Sequence, residues 1–312
     1  MTVSAKKILG FVRYLIFAAA IVLLVLRFWQ CRESIGDLRI TSRMVGNFLV
    51  SSVAYTLNAT FVILAWHSLL KFFGEEKLKF KDSYAVYARS QIARYIPGNV
   101  LHIPARHFAG RDLGYGHGPL VGAALYEILG TICASGLILI VGYLLFDVAL
   151  QRVSLLQVLV IVSAICLFPI MFNKVLPYVP FLKSAEIPRR NTDQVIKGLV
   201  PILGYYCIFF IVLGAIFLFV VNSFLAVNSI STTGRILTIF VISVIAGFIT
   251  PGAPGGLGVR EVVLVYMLGD IIGQNESLWV AIWFRAITVL GDLLLFLVPF
   301  SLISGTKLKE NR

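Results

Sequence analysis

Six stretches of the chain stay apolar long enough to cross a bilayer as helices, at roughly residues 11–29, 45–70, 119–146, 153–172, 198–221 and 277–303. A hydrocarbon core of about 30 Å takes about 20 helical residues, which these lengths meet. Two further apolar stretches are broken by glycine and proline. The first, about 84–118, carries Pro97-Gly98, Pro104, Gly110, Gly114, Gly116 and Gly118-Pro119; the second, about 236–269, carries Thr250-Pro251-Gly252-Ala253-Pro254-Gly255-Gly256-Leu257-Gly258. Such breaks free backbone donors and acceptors, which a bilayer tolerates only where they are buried in protein or face a wet cavity. The pattern predicts an all-α polytopic membrane protein with about six full spans and two broken, re-entrant helix pairs.

Composition excludes the soluble alternatives. The 312 residues are 59% hydrophobic and 13% charged, with mean hydropathy +0.91, and the charged fraction is about half that of a soluble domain. The net charge of +12 belongs to loops that set topology, because the basic residues are not interleaved with aromatics on a polar face as nucleic-acid binding requires. The cysteines Cys31, Cys133, Cys166 and Cys207 are too dispersed for a zinc or CxxC site. Lys6 and Lys7 precede a first apolar run that is long and lacks a small-residue cleavage site, so it reads as a retained span.

The positive-inside rule fixes the orientation. Basic residues crowd the N-terminus (Lys6, Lys7, Arg13), 71–96 (Lys71, Lys77, Lys79, Lys81, Arg89, Arg94), 174–197 (Lys174, Lys183, Arg189, Arg190, Lys197) and the tail (Lys307, Lys309, Arg312). These four regions, and with them both termini, are expected in the cytoplasm. The loop 30–44, with Arg32, Arg39 and Arg43 against Glu33 and Asp37, fits its outer placement least well. Parity then closes only if each broken stretch returns to the side it came from, one from inside and one from outside. That is an inverted repeat within one membrane domain, with halves near 1–150 and 151–312. Pro97 to Glu127 is 30 residues and Pro251 to Arg285 is 34, so the halves also match in length. Paired Gly/Pro-broken segments at corresponding positions point to a central transport site.

Candidate chemistry sits at the breaks. Gly255, Gly256 and Gly258 lead into an apolar helix and Pro97-Gly98-Asn99 plays the matching part, so unpaired N–H groups and helix dipoles are expected to favour an anion there. A nucleotide phosphate loop is excluded, since no Gly-Lys-Ser/Thr or βαβ pattern accompanies the glycines. Charges in apolar segments are costly and should pair across a cavity. The candidates are Arg94, Arg106, Arg111, Asp112 and Glu127, then Arg260, Glu261, Arg285 and Asp292. Snorkelling to the interface suits Arg94, Arg111 and Arg260 best. Glu127 and Arg285 each lie eight residues into their spans, from opposite sides, and Arg285 and Asp292 are seven apart and share a helix face. The histidines His67, His102, His107 and His117 do not have ligand spacing, though three lie in the first broken stretch, where a titrating role is open. No nucleophile is set beside a base and an orienting acid.

The string Arg94-Tyr95-Ile96-Pro97-Gly98, followed by Arg106, Arg111 and Glu127, together with Pro251-Gly252-Ala253-Pro254-Gly255-Gly256-Leu257-Gly258-Val259-Arg260-Glu261, resembles the lysylphosphatidylglycerol synthase transmembrane family. This is the flippase module of the bacterial multiple peptide resistance factor. The resemblance covers essentially the whole chain. It implies an inner-membrane lipid flippase that moves a phospholipid or lipid-linked head group between leaflets. It also implies that Pro97, Gly98, Pro251, Gly252 and the neighbouring glycines and charges bind substrate. The family's soluble aminoacyltransferase half is expected to be missing, because the chain stops nine residues after its last span, so lysyl transfer does not carry over. Polyprenyl-linked sugars are an equal cargo on this resemblance.

Three functions follow as expectations. The first is a transporter without covalent chemistry or cofactor, in which Arg106, Arg285 and the N–H groups near Gly98, Gly255 and Gly256 hold a head-group phosphate, with Glu127 and Asp292 exchanging partners or protons. The second is an intramembrane transferase or its accessory subunit in envelope lipid or glycan modification. The third is a carrier of small solutes or ions. A separate synthase or glycosyltransferase, or a second copy of the chain, is the protein partner these readings allow.

Overall fold

The computed structural model describes residues 41–75, 78–95, 101–146, 190–250 and 253–303, with isolated positions at 22, 29, 171–172, 174–175 and 186–188. The expected spans 11–29 and 153–172 lie almost wholly outside the described residues, as do Pro97, Gly98, Pro251 and Gly252. Among the described residues the chain is all-helical: α1 Ser42–Phe72, α2 Phe80–Gln91, α3 His102–Asp112, α4 His117–Phe146, α5 Thr192–Val221, α6 Ile230–Ile249, α7 Val259–Ile272 and α8 Gln274–Ile303. Tight 3-10 turns at Ile92–Tyr95 and Pro254–Gly256 mark the two breaks.

Five of these helices, α1, α4, α5, α6 and α8, are long and apolar enough to cross a membrane. Four coincide with expected spans. The fifth, α6, differs from the expectation, which placed its residues in a broken pair. Its 20 residues begin at the Ser229 cap, whose hydroxyl accepts from Thr232 N–H at 3.4 Å, and run unbroken to Thr250. At 1.5 Å per residue α6 rises about 30 Å, whereas α7, with 14 residues, rises about 21 Å. The polar caps and the apolar run together, rather than the glycines further on, set the length of α6.

Contacts place the helix ends. Arg190 Nε donates to Phe72 O at 2.8 Å, and Gly116 N–H donates to Glu75 Oε1 at 2.6 Å. The end of α1, the α3–α4 turn and the start of α5 therefore lie together, with Lys71, Arg111, Arg190 and Lys197. At the other end Asn47 Nδ2 donates to Ser223 Oγ at 2.8 Å, and Phe48 and Phe224 pack on Trp283 at 5.4 and 6.0 Å. Helix α2 runs back along α1: His67 meets Ser83 at 2.8 Å, Trp66 meets the Tyr87 ring at 6.0 Å, and Tyr55 and Tyr95 both reach Asp292. Tyr55 is the fourteenth of 31 residues in α1, so the first 3-10 turn sits at the depth of that helix's midpoint.

Two aromatic-rich cores flank this depth. One gathers Trp66, Phe73, Tyr87, Tyr126 and Phe210 between α1, α2, α4 and α5. The other is built on Phe217, Phe240 and Phe284, with the first two rings stacked at 4.4 Å.

The second break depends on close backbone contact. Gly256 has φ +72°, and a Cβ there would lie 3.0 Å from Gly247 Cα. Both the left-handed dihedral and the α6 backbone therefore exclude a side chain. Gly256→Ala is expected to lose about 1–3 kcal/mol, seen as a lower unfolding midpoint in detergent, whereas Gly204→Ala, in open space inside α5, should not lower the midpoint and should gain up to about 1 kcal/mol from the helix preference of alanine.

Candidate functional site

A cavity of about 120 Å³ lies between the two breaks, against the roughly 10–15 Å³ one water needs. Its wall carries three arginines, Arg94, Arg260 and Arg285, and two carboxylates, Glu127 and Asp292. The five charges are delivered by four pieces of the fold. The first 3-10 turn presents Arg94, α4 presents Glu127, the start of α7 presents Arg260, and α8 presents Arg285 and Asp292 on one face, as their spacing predicts.

Asp292 is the hub. Its side chain is 1% exposed, and it accepts from Tyr55 Oη at 3.2 Å, Tyr95 Oη at 2.6 Å and Arg94 Nη1 at 3.4 Å. It therefore ties α8 to α1 and to the first break. Arg285 Nη1 donates to Gly255 O at 3.0 Å and lies 3.7 Å from Glu261 Oε1, with its guanidinium 5.6 Å from the Tyr95 ring centre. Arg106 sits behind the wall. Its Nη1 donates to Glu127 Oε2 at 2.5 Å, Nε donates to Ser90 Oγ at 3.1 Å, and the guanidinium lies 3.5 Å from the Tyr87 ring centre. Tyr87 Oη donates to the other Glu127 oxygen at 2.9 Å.

Arg260 is bound differently. Its guanidinium faces the Phe240 and Phe284 rings at 5.4 and 5.0 Å, while Nε and Nη2 are shut off from solvent and have no acceptor among the described residues. The Tyr206 hydroxyl, on the same cavity wall, is likewise buried without a partner there. A buried donor left unsatisfied costs about 1–3 kcal/mol, more when charged.

The sequence candidates divide accordingly. Arg94, Glu127, Gly255, Arg260, Arg285 and Asp292 meet at the cavity, and Arg106 and Glu261 stand behind Glu127 and Arg285. Gly256 and Gly258 shape the second break. Arg111 is exposed, donating to Tyr115 O at 2.8 Å four residues on, and does not join the site. Arg94 and Arg260, for which snorkelling was also expected, instead face the cavity. The expected backbone cradle for an anion is corrected at Gly256 and Gly258. Gly256 N–H donates to Ala253 O at 2.9 Å, Gly258 N–H donates to Glu261 Oε2 at 2.7 Å, and it is the Gly255 carbonyl that meets Arg285. A carboxylate three residues into α7 caps the helix start, as in a capping box, so Gly258 N–H is taken up while the side-chain donors of Arg94, Arg260 and Arg285 line the cavity.

No family model matches the chain, and no curated protein or solved structure does either. The chemistry of the site therefore rests on its own residues. Among the described residues no group of three histidine, cysteine or carboxylate side chains is placed to hold a metal. The tyrosines Tyr55, Tyr87, Tyr95 and Tyr206 line the cavity and were missed by sequence reasoning. The available signal was position: Tyr55 and Tyr206 lie at the middles of 31- and 30-residue apolar helices, where a hydroxyl needs a partner.

Proposed function

We propose that this protein is a lipid flippase of the inner membrane that carries an anionic head group between leaflets without covalent chemistry. The cavity's donors support this reading best. Four arginines, Arg94, Arg106, Arg260 and Arg285, face three carboxylates, Glu127, Glu261 and Asp292, leaving one positive charge in excess. That excess falls on Arg260, whose buried Nε and Nη2 have no acceptor among the described residues. An anion supplies what they lack. Arginine suits a phosphate oxygen pair and keeps its charge when desolvated.

The arrangement of helices supports alternating access. We read α2–α3 as a re-entrant pair and α6–α7, in which α6 alone is long enough to cross, as its inverted counterpart, the first leaving and rejoining the end with Lys71 and Arg190, the second the end with Asn47 and Trp283. Two ion pairs have opposite polarity: arginine on the short helix and glutamate on the long one for Arg106–Glu127, the reverse for Glu261–Arg285. The first end, rich in Lys and Arg, is placed in the cytoplasm by the positive-inside rule. The resemblance to the lysylphosphatidylglycerol synthase transmembrane family agrees with this cargo class.

The test is head-group crossing of tail-labelled phosphatidylglycerol in liposomes containing the purified protein. Arg260→Gln is expected to slow crossing about 10- to 100-fold, the equivalent of losing a charged hydrogen bond of roughly 1.5–3 kcal/mol. A wild-type protein that accelerates no anionic lipid, with Arg260→Gln behaving identically, sinks the proposal.

A further inference from the structure

Glu127 is the one side chain that lines both the central cavity and a second, smaller hollow at the α3–α4 contact, among the cavities lined by described residues. The hollow has a volume of about 10 Å³, close to the room a single water requires. Its polar walls are Arg106, His107 and Glu127, and Trp66, Ile103 and Leu120 close the rest. Three polar walls match the two to four partners a buried water takes. Beyond the hollow, His107 Nε2 lies 3.1 Å from His117 Nδ1, and His117 is exposed at the first residue of α4. Glu127 follows His117 by ten residues on the same helix, a rise of about 15 Å.

On the transport reading above, we infer that protons are co-transported with the anion, Glu127 being the proton site and the water-sized hollow, His107 and His117 its path to the basic end of the molecule. Neutral imidazole donates at one ring nitrogen and accepts at the other, so each histidine passes a proton on and returns to its starting charge. A proton taken from solvent by His117 moves across the 3.1 Å contact to His107. It leaves from that ring's other nitrogen to the water, and an O–H bond forms on Glu127 as the water takes up the replacement proton. The carboxylate loses its charge and Arg106 loses its ionic partner. No oxidation or other co-reactant is involved.

The surrounding groups fit this role. Glu127 is faced by Tyr87 from α2, Arg106 from α3 and the Tyr206 hydroxyl from α5. His107 is faced by His117 from α4 and by Arg111 on its own helix. Glu75, arriving from the end of α1, holds Gly116 N–H one residue before His117 and puts a carboxylate at the mouth of the path. Neutralising Glu127 raises the excess charge of the site from one to two, so a bound proton strengthens anion binding and a bound anion strengthens proton binding by the same factor.

The experiment uses the full chain in phosphatidylglycerol liposomes with an entrapped pH dye, following proton entry and tail-labelled phosphatidylglycerol crossing together after an acid step. The wild type should show crossing accelerated about tenfold by the step, with proton entry alongside. Glu127→Gln, which keeps the side-chain shape, should abolish proton entry and make crossing indifferent to the step. The pair His107→Ala and His117→Ala should slow proton entry about tenfold or more, and added imidazole should restore it, which a merely structural defect would not allow. Proton entry at the wild-type rate in the double-histidine variant, or slowed entry that imidazole leaves untouched, overturns the inference. Phosphatidylglycerol crossing that ignores the acid step in the wild type also overturns it and leaves the flippase reading standing. Dye-reported proton entry that depends on Glu127 without any lipid crossing would instead sink the flippase reading and keep the path.

Discussion

Asp292→Ala is expected to destabilise the protein by about 3–5 kcal/mol, the loss typical of removing one partner from a buried ion pair. The carboxylate is 1% exposed and holds Tyr55, Tyr95 and Arg94 from two other elements. Its removal orphans two hydroxyl donors as well as a guanidinium. Arg94, however, keeps 30% of its side chain exposed to the cavity, so water recovers part of its solvation and the loss should fall near the lower figure. Asp292→Asn retains an acceptor for the tyrosines and should lose less. Thermal or denaturant unfolding in detergent measures both. A midpoint for Asp292→Ala equal to the wild type would mean that the three donors are not organised by this carboxylate. Because Arg94 and Tyr95 belong to the first break, the same variant should also release that turn from α8, raising proteolysis or hydrogen exchange there beyond the global change.

How much of this was readable from the sequence depended on the range of the physics involved. Apolar length is local, so α1, α4, α5 and α8 appear where the pattern puts them. The glycine- and proline-rich breaks are also local. The extent of α6 was missed because the apolar pattern was read together with the break that follows it. Buried charges had to pair, but which ones did was a tertiary matter. Arg106, expected to hold cargo, is held by Glu127, Ser90 and Tyr87, while Arg260, for which snorkelling was a strong reading, carries the unsatisfied donors. The N–H groups of Gly256 and Gly258, expected to be free, are taken up within the second break for a reason visible only in three dimensions. Glu261 sits three residues after Gly258, a capping spacing the sequence contains, and one of its oxygens takes that N–H while the other lies toward Arg285. The tyrosines escaped because a phenol in an apolar helix is as compatible with packing as with hydrogen bonding.

The polarity of the two ion pairs gives the second large effect. Arg106 is 4% exposed and Glu127 15%, at 2.5 Å, whereas Arg285 and Glu261 are 3.7 Å apart and each has another backbone partner. Arg106→Met should therefore destabilise by about 3–5 kcal/mol, because it strands a carboxylate whose remaining donor is Tyr87. The double variant Arg106→Met with Glu127→Leu removes both charges and leaves matched apolar volume between Trp66 and Tyr87. Buried pairs replaced in this way are often neutral or more stable, so most of the lost stability should return. The coupling between the two sites is expected at or above the upper end of the about 0.5–3 kcal/mol found for residues in one network, since each single variant strands a buried charge that the double variant removes. Glu261→Gln should cost less, since an amide oxygen can still accept from Gly258 N–H and Arg285 keeps the Gly255 carbonyl. A double-mutant cycle by denaturant unfolding in detergent reads each term. If Arg106→Met and Glu261→Gln were equally mild, Arg106–Glu127 would not be the tighter clasp. If instead the double variant regained stability yet carried no phosphatidylglycerol, the pair would stand as a charge retained for transport, since an apolar wall there holds the fold equally well.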